Sequence, residues 1–459
     1  MRVGVAIVFR FYRTNSLEDY RFLSMPRVPK IPPSIRKQAS DMTPSASSAT
    51  PGTSRPQADT RTPHMPRVLR KMLCLHDFEA AARRALPRPI FGYVSGAAED
   101  NRTRDDNRAV FDEYGFVTRV LRNVSQREQG VELFGRRYAS PFGIAPMGIH
   151  ALSAYRGDIV LARAAQRAGI ASIMSGSSLI PLEEVAAAAP ETWFQAYLPG
   201  DAGRIGALLE RVARAGYRTL VITVDIPVSA NRENNVRTGF TTPLRPGPRL
   251  FWDGIVRPRW LAGTFARTLL AHGMPHFENS FATRGAPILS STVQRDFSAR
   301  DHLDWGHLER IRQEWKGELV IKGILSVDDA VIARDAGADG IILSNHGGRQ
   351  LDGAVSPMRI LPDVVRALGA DYPVMIDSGF RRGSDVLKAV AMGARMVFVG
   401  RPFNYAAAVA GEAGVMHAIG LLRDEVDRNM AMLGVERCSG LTPDALIRKG
   451  GVPASLTAV

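Results

Sequence analysis

The run SNHGGRQLDG, beginning at Ser344, places a histidine and an arginine, His346 and Arg349, on one short stretch of chain. Histidine is the side chain whose ordinary pKa lets it take up a proton near neutrality. Arginine presents a planar fork of donors that matches a carboxylate bidentately. Together they suit removal of a proton from a small acid held by its carboxylate. A lone histidine after a strand is more often a structural cap, so the chemistry needs partners. Asp225 could orient His346 and stabilise its cation, Arg232 could be a second clamp, and Tyr197 adds a hydroxyl. Lys322 could form a Schiff base or hold a permanent charge beside a cofactor, and the residues leave both open.

A second pattern suits a phosphate. The runs DSGFRRGSD from Asp377 and VGRP from Val399 combine Gly379 and Gly400, which permit close backbone approach, with the charges of Arg381 and Arg401. No G-x-G-x-x-G or G-x-x-x-x-G-K-[ST] run occurs, which argues against a Rossmann dinucleotide domain and a P-loop NTPase. No metal is expected: His272 and His276 have i, i+4 spacing but lack the acid of a zinc motif. Cys74 and Cys438 are too few for a disulfide framework, and a reducing compartment fits them.

These residues must be brought together by something. From Phe142 onward, apolar runs alternate with amphipathic helical stretches: FGIAP, IASIM, TWFQAY, TLVITVD, LVIKG, GIILS, PVMID and MVFVG. Continuous apolar runs are expected of parallel strands buried on both faces. Eight of them predict an α/β fold, a (β/α)8 TIM barrel, with a long insertion after strand four and a disordered N-terminal extension. Barrel sites are built at the C-terminal strand ends. Gln195 and Tyr197 end strand three, Thr223 and Asp225 strand four, and Lys322 strand five. Ser344 to Arg349 follow strand six, Asp377 strand seven and Gly400 strand eight.

At 459 residues with 45% apolar and 23% charged side chains, the composition is that of a globular body. The net charge of +14 is local. Residues 1–71 hold 13 Lys/Arg against 4 Asp/Glu, and residues 241–300 hold 8 Arg against 3 acids, which accounts for the whole excess. The rest is neutral, so a nucleic-acid groove through the body is not expected. Residues 1–64 read as a disordered basic extension, either a transit-type leader or an over-extended gene start, and Met65 opens the barrel domain at 65–459. The insertion, 241–300, interleaves Trp252, Trp260, Phe265, Leu269 and Leu270 with arginines. It predicts either a lid on the barrel or a helix lying in a membrane interface.

From about Leu73 the chain resembles the FMN-dependent 2-hydroxy acid dehydrogenase and oxidase family, through SNHGGRQLD, DSGFRRGSDV and VGRP. It is most similar to the membrane-associated (S)-mandelate and L-lactate dehydrogenases of that family. The resemblance implies bound FMN and His346 as the active-site base, paired with Asp225. It implies that Arg232 and Arg349 hold the substrate carboxylate with Tyr93, and that Tyr197 bonds the substrate. Lys322 would lie near flavin N1 and O2 and stabilise the reduced ring. Ser175, Gln195 and Thr223 would bond the ring and Asp377 the ribityl chain. Arg381, Gly400 and Arg401 would hold the phosphate, with Pro146, Met147, Gly148, Ser344 and Gly379 completing the cofactor contacts. Where short-chain oxidases of the family have Pro-Thr-Ala after strand one, this chain has Pro146, Met147 and Gly148, and Ser177 replaces a Trp after strand two. Gly148 and Ser177 enlarge the substrate pocket, which implies a bulky or aryl L-2-hydroxy acid such as (S)-mandelate. L-lactate, or a soluble oxidase making hydrogen peroxide, is the alternative. The insertion is similar to the membrane-binding loop of mandelate dehydrogenases. That similarity implies peripheral contact with the inner face of the cell membrane, from a cytoplasmic homo-oligomer, and electron transfer to a quinone or respiratory carrier.

Overall fold

The computed structural model describes residues 65–241, 247–290 and 300–449, and the expected disorder of 1–64 lies outside them. The eight apolar runs become eight parallel strands, β1 (Phe142–Ile144), β2 (Ile173–Ser175), β3 (Trp193–Ala196), β4 (Thr219–Thr223), β5 (Glu318–Ile324), β6 (Gly340–Leu343), β7 (Val374–Ile376) and β8 (Met396–Val399). Almost every strand residue is buried, as strands covered on both faces require. Neighbours run parallel in the order β1-β8-β7-β6-β5-β4-β3-β2, and a bridge from Ile144 to Ser172 joins the ends. The result is the expected barrel, closed at that seam by one bond from Ile144 N to Ala171 O, 2.9 Å.

The strands are followed by α1 (Gly157–Ala168), α2 (Leu182–Ala188), α3 (Ala202–Arg214), α4 (Trp305–Glu314), α5 (Val327–Asp335), α6 (Pro357–Leu368), α7 (Gly383–Ala391) and α8 (Arg401–Leu433). By length and composition α8 could cross a bilayer. Its Val415, Ala418, Ile419, Leu422 and Val426 are instead buried at helical spacing, and its backbone breaks at Ala410 and Gly411. It is a core helix.

The barrel interior is packed. Trp193 and Phe398 meet edge to face at 5.5 Å, with Val221, Val320, Ile342 and Met375 in the same cluster. The N-terminal mouth is stopped by a hairpin, Val131–Leu133 paired with Arg136–Tyr138. Its Phe134 ring lies 5.7 Å from Trp193, and Trp193 Nε1 donates to Tyr138 Oη at 3.2 Å. Within the barrel this leaves the C-terminal rim to hold a ligand.

The insertion divides the two readings of it between two faces. Trp260 stacks on Phe265 at 5.5 Å and donates from Nε1 to Leu152 O at 2.7 Å, so this face packs on the barrel as a lid would. Phe251, Trp252 and Leu270, 71%, 65% and 89% exposed, point away from it, among the exposed Arg249, Arg259 and Arg267. An outward face of aromatics and arginines is the pattern of an interfacial helix.

Candidate active site

Asp225 follows β4 and His346 follows β6, and both side chains turn inward over the rim. The approach of Asp225 to β5 depends on Gly323, at φ +111°, where a Cβ would lie 2.7 Å from that of Asp225. His346 itself has φ +56°, a conformation that a non-glycine residue adopts rarely and that surrounding bonds must hold. One such bond runs from His346 N to Ser344 Oγ at 3.0 Å. His346 Nδ1 lies 3.0 and 3.2 Å from the two Asp225 oxygens. An ionised carboxylate only accepts, so Nδ1 carries the hydrogen and the Nε2 lone pair is the basic atom. Burial pushes the His346 pKa below 6.5; Asp225 opposes this, while Lys322 and Arg232 reinforce it. For Asp225, burial acts upward, but His346 and Lys322 outweigh it and hold the carboxyl below its usual range. A neutral base beside an ionised orienting acid follows at pH 7.

Two arginines face this base. Arg349 donates from Nη1 to Tyr93 O and Gly96 O at 2.7 and 2.8 Å, and its guanidinium lies 4.8 Å over the Tyr93 ring. Arg232 donates to Arg349 O and to Gln350, which in turn donates to Asp225 O. Neither arginine has a carboxylate partner among the described residues, and Arg349 Nη2 is buried without any hydrogen bond. Burial, then the charge of Arg232, pushes the Arg349 pKa down to about 9. Two neighbouring cations lacking a counterion are built to receive an anion.

Lys322 on β5 is 3% exposed and lies 3.0 Å from Asp377 Oδ2, donating also to Ser344 Oγ at 2.8 Å. Burial acts to lower its pKa, but Asp377 and Asp225 outweigh it and raise the value. That environment favours a permanent ammonium over an amine nucleophile. Asp377, which the resemblance gives to a ribityl chain, is thus the partner of Lys322 and of Ser378 Oγ at 2.8 Å.

These groups open on a cavity of about 690 Å³. Tyr93, Pro146, Met147, Gly148, Ser177, Tyr197, Arg232, Lys322, His346, Arg349, Asp377, Gly379, Arg381, Gly400 and Arg401 all line it. Ser175, Gln195, Thr223, Asp225 and Ser344 stand at or just past the same strand ends and are not among its lining residues. Gln195 accepts from Ser175 Oγ at 3.1 Å, yet Gln195 Nε2 and Thr223 Oγ1 are buried without partners. The guanidinium groups of Arg381 and Arg401, pushed by burial to about 10, donate to carbonyls among the described residues, including Phe380 O and Gly347 O. Sequence reasoning missed Gln350, Ser378, Asn404 and the insertion residues Phe277, Ile288 and Arg300, of which all but Gln350 line the cavity. Gln350 was available within the run that carries His346.

A profile of the FMN-dependent dehydrogenase family matches residues 82–448. The chain belongs to that family. It is 37% identical over 379 residues to the (S)-mandelate dehydrogenase of Pseudomonas putida, covering 82% of this chain and 94% of that one. It is 38% identical over 376 residues to the L-lactate dehydrogenase of Pectobacterium atrosepticum, covering 81% and 96%. Among solved structures, the monotopic membrane protein (S)-mandelate dehydrogenase superposes with TM-score 0.77 at 35% identity, covering 82% of this chain and 100% of that one. Mandelate oxidase with benzoyl-formic acid gives 0.68 at 34%, covering 82% and 98%. The cofactor of this FMN-dependent dehydrogenase is FMN, and the unpartnered atoms fit it. Gln195 Nε2 and Thr223 Oγ1 are donors that a flavin ring can use, and the two loop arginines suit its phosphate.

Proposed function

We propose that this FMN-dependent dehydrogenase oxidises a bulky or aryl L-2-hydroxy acid, such as (S)-mandelate, to the 2-oxo acid. The observation that carries the acid is the pair Arg232 and Arg349, without a carboxylate partner among the described residues, beside a neutral His346. Bound FMN supplies a two-electron acceptor. Arg232 and Arg349 bind the substrate carboxylate, with Tyr93 and Tyr197 at its oxygens. His346 Nε2 takes a proton, and Asp225 stabilises the cation formed. Lys322 keeps a positive charge where the cofactor gains electrons, and Gln195, Thr223, Arg381 and Arg401 hold the cofactor still.

Gly148 and Ser177 support the bulky side chain. A Cβ added at Gly148 would stand 2.9 Å from Ser177 Cβ and 3.6 Å from Tyr93 Oη, so a larger residue at either position intrudes on the cavity. The matching identity to L-lactate dehydrogenases supports lactate as the second reading. Anaerobic bleaching of the flavin by a panel of 2-hydroxy acids is the test. Bleaching by (S)-mandelate at lower concentration than by L-lactate is expected. The reverse order would remove the bulky substrate, and silence toward the whole panel would overturn the hydroxy-acid reading itself.

We further infer peripheral attachment through the exposed face of the insertion, at the inner face of the cell membrane, with a quinone or other carrier taking the electrons. The likeness to a monotopic membrane protein and the exposed Phe251 and Trp252 support it. Converting both residues to glutamate is expected to reduce sedimentation with anionic vesicles about tenfold or more, since buried apolar area and attraction to the headgroups are both lost. Unchanged sedimentation would rule this face out.

A further inference from the structure

The insertion returns to the barrel beside the substrate-binding wall. At the last position of the insertion, five residues before α4, Arg300 is 7% exposed and donates from Nε to Leu198 O at 3.1 Å. Two residues later His302 Nε2 meets Gly200 O at 2.6 Å, so the end of the insertion is clasped twice to the loop that follows β3. That loop begins at Tyr197, and the Arg300 guanidinium lies 5.2 Å from the centre of the Tyr197 ring. Both residues line the cavity, together with Phe277 and Ile288 from the same insertion.

The geometry points to Arg300 as a positioning residue for Tyr197, through which the end of the insertion sets how firmly the site holds its substrate. This rests on the reading of Tyr197 as a substrate-binding hydroxyl. The Tyr197 hydroxyl makes no hydrogen bond to another described residue, so packing and the cation over its face fix the ring. Burial, and after it the charge of Asp225, push its pKa to about 12, so it reaches the substrate as a protonated donor. A donor helps only when it is held where the oxygen will be. A buried cation over an aromatic face is among the stronger forms of that contact, and the Leu198 clasp fixes where the cation stands. Lysine could supply the charge but lacks the planar group whose Nε holds Leu198 O while the guanidinium stays over the ring.

Arg300→Ala and Arg300→Lys, each made in the full chain and again in a Tyr197→Phe background, test this. The readout is the dissociation constant of benzoylformate, titrated against the oxidised flavin by its absorbance change, with KM and kcat measured alongside. In the parent background, Arg300→Ala is expected to weaken binding about tenfold and Arg300→Lys by less. In the Tyr197→Phe background, where no hydroxyl remains to be positioned, both are expected to change it less than about twofold. Equal losses in the two backgrounds, or none in either, would overturn the proposal alone. Unaltered binding in Tyr197→Phe by itself would overturn the reading of Tyr197 and the proposal with it. Should Arg300→Ala fail to fold, the lysine variant, which keeps the cation, carries the same comparison.

Discussion

His346→Gln is expected to lower turnover between about 10²- and 10⁴-fold while the protein still folds and retains flavin, because the lost group is a positioned base. Glutamine keeps a hydrogen-bonding side chain of similar reach opposite Asp225 but cannot take a proton near neutrality. The direction of the His346 pKa shift gives the test a second dimension. Burial holds the pKa below 6.5, so the base-competent neutral form predominates at pH 7 and above, and titration of this base should lower parent activity on the acid side, below 6.5. Unfolding restores the ordinary pKa, so the stability linked to this shift is present above 6.5 and lost as pH falls toward the folded value. Asp225 is the group that raises the His346 pKa, so Asp225→Asn should move the acid limb of kcat/KM to still lower pH while also reducing kcat. A His346→Gln protein that reduces its flavin with hydroxy acid at the parent rate would remove the base from the mechanism. An acid limb that moves upward in Asp225→Asn would remove the pairing.

The barrel was legible because burial on both faces leaves little room for anything but apolar residues, and all eight runs became strands. Their edges were less so. The run IASIM from Ile170 predicts a strand there, but the ladder to β3 begins at Ile173, because the chain must first pass the seam where Ser172 bridges to Ile144. The hairpin that stops the barrel has only a short signal, VELFGRRY, outside the eight apolar runs. Phe134 and Gly135, at φ +51° and +67°, form a two-residue turn between alternating strands. The rim residues were readable for a related reason: a polar side chain ending a buried strand has few places to go except the cavity.

What the sequence withheld depends on long-range packing. Phe277, Ile288 and Arg300 come from an insertion whose path is set by contacts such as Trp260 with Leu152, and no periodicity encodes where such a segment returns. The same segment shows why its composition left two readings open. Adjacent short helices divide the two roles, with Trp260 of Pro258–Trp260 turned to the barrel and Trp252 of Pro248–Ile255 to the outside. Arginine counts likewise say nothing of partners. Arg349 and Arg401 are buried against carbonyls, whereas Arg211 and Arg359 pair with carboxylates, a fact of tertiary structure.

Lys322→Met should show the largest effect on stability. The substitution preserves length and most of the volume but leaves Asp377 buried opposite an apolar group, and breaking a buried pair by removing one partner costs about 3–5 kcal/mol. Denaturant unfolding of the flavin-free protein should register a loss of that order, and the flavin-loaded protein should also show a more negative reduction potential, since a cation beside the cofactor is gone. Removing both partners is a different matter. In Lys322→Met with Asp377→Asn no uncompensated charge remains, so the double variant should recover much of the stability that the single change removes. Additive losses would show that the two groups are not coupled, contrary to their 3.0 Å separation. The same pairing bears on the alternative of a Schiff base. An ammonium held by Asp377 and Ser344, with its pKa raised, offers no lone pair for attack on a carbonyl. Borohydride added with a 2-oxo acid should therefore leave Lys322 unmodified, and a mass increase on that residue would make it a nucleophile.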